Sequence, residues 1–176
     1  MIVPTTRTFV AGEVETASIM NNSVTALGNF VLARPLAILR QTTTQSLPTG
    51  TATALTFDTE DIDRDNGHST SVNPSRYTSQ TAGYYYVTAH GSFAGNATGV
   101  RNIAAYVNGT QSTSLMATTS STLTAGTTAH LSFSGIVYLN VSDYLEIFAT
   151  QTSGGALSTS VTAPHQAFLS VVWVSS

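Results

Sequence analysis

The stretch from Ala129 to Leu139 constrains this chain more than any other. Leu131, Phe133, Val137 and Leu139 fall on one face of an extended backbone, while Ser132, Ser134, Ile136 and Tyr138 fall on the other. A period of two belongs to a strand with one face in a core. The same reading finds strand-like runs at Leu36 to Gln41, Ala52 to Phe57, Gly83 to Phe93, Arg101 to Val107, Tyr144 to Gln151 and Ala167 to Val174, separated by Gly, Asn, Ser and Thr clusters. Seven or eight short strands at such spacing predict an all-β sandwich or jelly roll. Asn108-Gly109, directly after Tyr106-Val107, predicts a tight reversal in which both central residues take a positive φ.

Composition supports sheets. About 30 threonines and only 9% charged residues suit a pleated, half-buried surface. With 176 residues and 41% hydrophobic content, the chain fills one core. Lysine is absent and the six arginines (Arg7, Arg34, Arg40, Arg64, Arg76, Arg101) are scattered, so the sequence offers no footprint for nucleic acid or anionic lipid. Without cysteine there is no disulfide, thiolate nucleophile or thiolate metal site. No run of about 18 apolar residues occurs, so membrane insertion is not expected.

The first 34 residues differ. Thr16 stands where a cap would, and Met20, Val24, Leu27 and Val31 recur at spacings of four, three and four, the rhythm of a short coiled-coil seam over Thr16 to Leu32. Arg34-Pro35 ends the helix. About two heptads are marginal alone, so the helix must pack either on symmetry mates or on its own domain. The change of period at Pro35 predicts an N-terminal anchor segment, residues 1–34, and a β domain, residues 35–176.

The ordered landmarks of the β domain resemble C1q-like globular heads, which share the tumour-necrosis-factor (TNF) jelly roll. They are Arg76-Tyr77-Thr78 through Ala82-Gly83-Tyr84-Tyr85-Tyr86, then Tyr106-Val107-Asn108-Gly109, then Val137-Tyr138-Leu139 with Asp143-Tyr144-Leu145, and finally Phe168-Leu169-Ser170. Ser170 departs from the glycine usual in that family. The resemblance covers residues 36 to 176 and implies a ten-stranded C1q/TNF-like jelly roll that assembles as a homotrimer. The leader Thr8-Phe9-Val10-Ala11-Gly12-Glu13-Val14, with Thr16-Ala17 and Met20-Asn21, is similar to that of actinobacteriophage minor tail proteins. That likeness implies a virion structural protein, whether minor tail, fibre or decoration protein. It would be exposed on the particle surface, joined to other virion proteins through the N-terminal segment, with a host cell-surface glycan or protein as a further partner. A free lectin-like carbohydrate- or protein-binding module of the same fold is the alternative.

Catalysis finds no motif. No Gly-x-Ser-x-Gly elbow occurs and the four histidines show no metal-ligand spacing, so the expectation is a protein that is not an enzyme and needs no cofactor. Five of the nine acidic residues crowd into Asp58 to Asp65. Asp58, Asp61, Asp63 and Asp65 are the candidate ligands of a weak calcium site, against the plainer reading of a solvated acidic loop. Placing Tyr85, Val87, Ala89 and Phe93 inward puts Tyr84, Tyr86, Thr88 and His90 outward, and Ile136 and Tyr138 are outward by the same rule. One of the two faces of the closing strand must be outward as well. An apolar outer face of this size suits a subunit interface or a sugar-binding platform. The residues assigned to an oligomer interface are Met20, Val24, Leu27 and Val31 on the helix and Tyr84, Tyr86, Ile136, Tyr138 and Trp173 on the domain.

Overall fold

The computed structural model describes residues 3–119, 126–163 and 165–176. The alternating stretch forms β9 (Ala129–Leu139), which runs antiparallel to β6 (Gly83–Phe93) over its whole length, from Gly83 opposite Leu139 to Phe93 opposite Ala129. The far edge of β6 pairs with β12 (Phe168–Ser175), β12 with β1 (Leu36–Arg40), and β1 with β4 (Thr59–Asp63). The first sheet therefore has the order β4-β1-β12-β6-β9. The second is β3 (Thr53–Ala54), β10 (Tyr144–Gln151), β7 (Arg101–Val107) and β8 (Thr110–Thr119), with β5 (Arg76–Thr78) also on β10. A ribbon of β2 (Ser46–Leu47) and β11 (Leu157–Ser158) completes an all-β jelly-roll sandwich with a short N-terminal helix.

Between the sheets, Leu39, Val87, Leu139 and Leu169 from the first meet Ile103, Leu145 and Ile147 from the second, all fully buried. Each such side chain contributes about 1.5–3 kcal/mol by leaving water. The tight reversal is present: Asn108 and Gly109 take φ of 50° and 77° and join β7 to β8. Gly83 explains the Gly-x-Tyr landmark. Its φ is +148°, and a Cβ there would strike the Trp173 indole and the Ser175 carbonyl.

Three elements differ from expectation. β8 is absent from the predicted runs because it is an edge strand of mostly Thr, Ser and Gln, in which Leu115 is the buried residue among those described. The run Ala52 to Phe57 shortens to Thr53–Ala54, because the Phe57 amide donates to the Pro74 carbonyl instead of a ladder partner. The acidic segment is no solvated loop: Thr59–Asp63 is the edge strand of the first sheet, with Ile62 opposite Ile38. Carboxylates on an exposed edge discourage pairing with a further strand.

The N-terminal helix comprises α1 (Ala17–Met20), a π-turn at Asn21–Thr25 and α2 (Ala26–Leu32). The Ile19 amide donates to the Thr16 hydroxyl at 3.3 Å, so Thr16 is the cap. Phe30, which lies off the seam, is buried edge-on against Trp173 with ring centroids 4.9 Å apart. The helix thus contributes one residue to the core of the β domain.

Candidate functional site

Strand register turns the alternation of β6 and β9 into a surface. Tyr84 lies opposite Tyr138 and Tyr86 opposite Ile136, while Val172 of β12 lies on the other side of Tyr86. Directly opposed residues point to the same side of a sheet, so these side chains form one outward patch. Their backbone neighbours Tyr85 and Val87 are fully buried, whereas Tyr84, Tyr86, Ile136 and Tyr138 are 46%, 43%, 59% and 47% exposed. Tyr84 and Tyr138 meet edge to face at 5.1 Å, which holds both rings upright. Among the described residues, none makes a hydrogen bond to the hydroxyl of Tyr84, Tyr86 or Tyr138.

Trp173 does not belong to this patch. It is inward-facing and buried, its indole N–H donates to the Ala82 carbonyl at 3.1 Å, and Phe30 covers its edge. Its assignment to an oligomer interface is corrected: the contact it makes is within its own chain. On the closing strand the outward set is Phe168, Val172 and Val174. On the helix, Met20, Val24, Leu27 and Val31 are all exposed, while Phe30 is buried.

The four carboxylates proposed for calcium do not converge. Asp58 accepts from the Thr42 amide and hydroxyl. Asp61 is bidentate with Arg40 at 2.5 Å, and hydrogen bonding to that guanidinium holds its carboxyl below the usual range. Asp63 accepts from the Gly67 and His68 amides. Asp65 accepts from the Tyr77 hydroxyl, and burial pushes its carboxyl up. Among the described residues no three acidic, His or Cys side chains come together as metal ligands. The calcium assignment is therefore replaced by four separate structural roles, because alternation and turns send neighbouring carboxylates in different directions.

The histidines are more organised than their spacing implied. His68 is buried, with Nδ1 2.7 Å from the Arg76 carbonyl and Nε2 3.0 Å from the Phe57 carbonyl, which makes it a structural tie. His90, His130 and His165, by contrast, form one stack on the outward face of the first sheet. The outward position of His90 was legible from strand period. That His130 and His165 join it depends on the β6–β9 register and on the path of the chain before β12. Ser92 lies 3.1 Å from His130 Nδ1. Ser92 is itself buried, so this pair does not present a nucleophile to a substrate.

Comparison with solved structures places the fold among the C1q and TNF-family jelly-roll heads. The globular domain of a zebrafish complement 1qA protein is 14% identical with a TM-score of 0.57, over 80% of this chain and 98% of that one. The Eiger TNF of S. frugiperda is 13% identical with a TM-score of 0.60, over 81% and 94%. Murine APRIL is 15% identical with a TM-score of 0.56, over 80% and 98%. By sequence, an uncharacterized protein of Acanthamoeba polyphaga mimivirus is 32% identical over 117 residues, 65% of this chain and 50% of that protein. The chain thus spans half the length of this viral relative. No family model matches the chain.

Proposed function

We propose that this protein is a structural component of a virus particle, displaying a homotrimeric C1q/TNF-like head and joined to other virion proteins through residues 1–34. The observation that carries the reading is the outward patch of Tyr84, Tyr86, Ile136 and Tyr138: apolar, contiguous and roughly half exposed. Such a surface is stabilised by packing against neighbouring copies of the chain, because burial removes apolar area and adds aromatic contacts. The C1q/TNF-like fold supports a trimer as the closed assembly, and the likeness to a mimivirus protein supports the virion. Because that relative comes from a virus of Acanthamoeba, it adds nothing to the bacteriophage part of the reading. The exposed stripe Met20, Val24, Leu27 and Val31 serves as the attachment seam.

Light scattering of the full chain at micromolar concentration tests the trimer, with a mass of three chains expected and a single chain overturning it. Mass spectrometry of purified particles tests the location. Val24→Asp with Leu27→Asp should leave the head folded and reduce its incorporation; undiminished incorporation would move the attachment surface to the jelly roll. A monomer that captures a defined glycan on the tyrosine patch would replace this reading with that of a free binding module.

A further inference from the structure

The same sheet face that carries the tyrosines carries, at its other end, a stack of imidazoles. Along β6 the outward residues run Tyr84, Tyr86, Thr88, His90, and along β9 they run Tyr138, Ile136, Ser134, Ser132, His130. His90 and His130 stack at 5.6 Å with their planes 19° apart, His130 and His165 lie 4.3 Å apart, and Phe168 stacks on the other side of His90 at 5.8 Å. Two of the rings are anchored: His90 Nδ1 is 3.1 Å from the Gln166 carbonyl and His130 Nδ1 is 3.1 Å from the Ser92 hydroxyl.

The electrostatic surroundings of the stack are one-sided. The residues flanking His165 in sequence, from 159 to Gln166, hold no carboxylate or guanidinium, and neither do β6 and β9. Along the row beyond Phe168 the next charged group is Arg40 of β1, whose charge is already met by Asp61 of β4. Nothing among these groups is placed to neutralise a proton on the stack, and rings this close oppose the charging of more than one.

We propose that His90, His130 and His165 form a proton-operated release device for the assembly: mild acid charges the stack and loosens the contact between copies of this chain. This rests on the reading of the outward face as the interface between copies. Continuity supports it, since His90 and His130 lie on the two strands that carry the tyrosines, and His165 lies against His130.

The sign follows from the environment. Burial holds the imidazole of His90 below the ordinary histidine range, with the charge of His165 adding to it against the opposing Gln166 carbonyl. Partial loss of water beside its neighbours likewise lowers His130, an otherwise exposed ring, with His165 and His90 adding to it. The neutral forms are therefore favoured in the folded protein. Covering the stack with a second copy removes more water from the rings and favours the neutral forms further, so association is tightest above the ordinary histidine value of about 6.5 and weakens as pH falls below it.

The experiment is sedimentation velocity of the full chain at constant ionic strength from pH 7.5 to 5.0, with far-ultraviolet circular dichroism to confirm that the fold persists. The wild type should be trimeric at pH 7.5, with its dissociation constant rising at least tenfold by pH 5.5. His90→Gln, His130→Gln, His165→Gln together should abolish that rise, and the milder pair His130→Gln, His165→Gln, confined to exposed rings, should reduce it. A trimer that is equally tight at both pH values, or variants that keep the wild-type profile, would overturn the device while leaving the interface standing. A monomer at pH 7.5 would overturn the interface itself and the device with it.

Discussion

The two outward faces of the sandwich carry similar aromatic content and opposite fates. On the second sheet, Tyr106 packs on Phe148 with ring centroids 4.1 Å apart and donates its hydroxyl to Gln111 at 3.0 Å. Arg76 lies 4.0 Å over the Tyr144 ring and donates to Glu146, which also accepts from Ser75 at 2.6 Å. Each of these rings is answered within the chain. On the first sheet Tyr84, Tyr86, Ile136 and Tyr138 stay between 43% and 59% exposed, although Tyr84 meets Tyr138 and Val172 lies beside Tyr86. Aromatic content alone therefore does not mark an interface. What separates the faces is whether local side chains have already met the rings.

The largest effect expected from this contrast is on assembly. Tyr86→Asp or Tyr138→Asp would place a carboxylate in a desolvated contact, weakening association by about 3 kcal/mol or more, a hundredfold or greater rise in Kd. Tyr106→Asp, on the satisfied face, should leave the mass in solution unchanged. Equal dissociation by both variants would erase the distinction between the faces.

Next comes the helix, which meets the head through Phe30 at the edge of Trp173 rather than through its exposed stripe. Phe30→Ala should lower the unfolding free energy by about 3 kcal/mol, read from urea denaturation. A loss under about 1 kcal/mol would show that the head is indifferent to the helix. A smaller change, about 1–2 kcal/mol, is expected for Arg76→Ala, which leaves a nearly buried Glu146 with only Ser75, and it should appear in stability without altering oligomeric mass. The least effect belongs to the acidic edge. Asp61→Asn removes an exposed ion pair and should cost under about 1 kcal/mol. Millimolar calcium should leave the melting midpoint where chelator leaves it, and a rise with calcium would reinstate a ligand role for these carboxylates.

Much of the fold was legible because β6, β7, β9 and β10 are long enough for alternation to speak above local noise, and their bounds agree with the predicted runs. Short or polar elements were not. β2 and β11 are two residues each, and β8 and β4 are edge strands whose composition reads as loop. Trp173 was misplaced because alternation defines two faces without saying which one is covered. That was decided by Gly83 and Phe30, two residues distant in sequence that close over the indole.

Period and turn chemistry, which act over a few neighbouring residues, determined the long strands, the Asn108-Gly109 reversal, the capped helix and the separation of Tyr84, Tyr86, Ile136 and Tyr138 from the face of Tyr85 and Val87. The tertiary structure alone decided that the acidic run is an edge strand with divergent carboxylates, that Phe30 joins the core, and that His90, His130 and His165 meet. These last facts depend on register between strands some 40 residues apart along the chain and on how a connecting segment crosses a sheet. Side chains brought together by such long-range pairing leave no periodic trace in the order of residues, because nothing local requires their spacing.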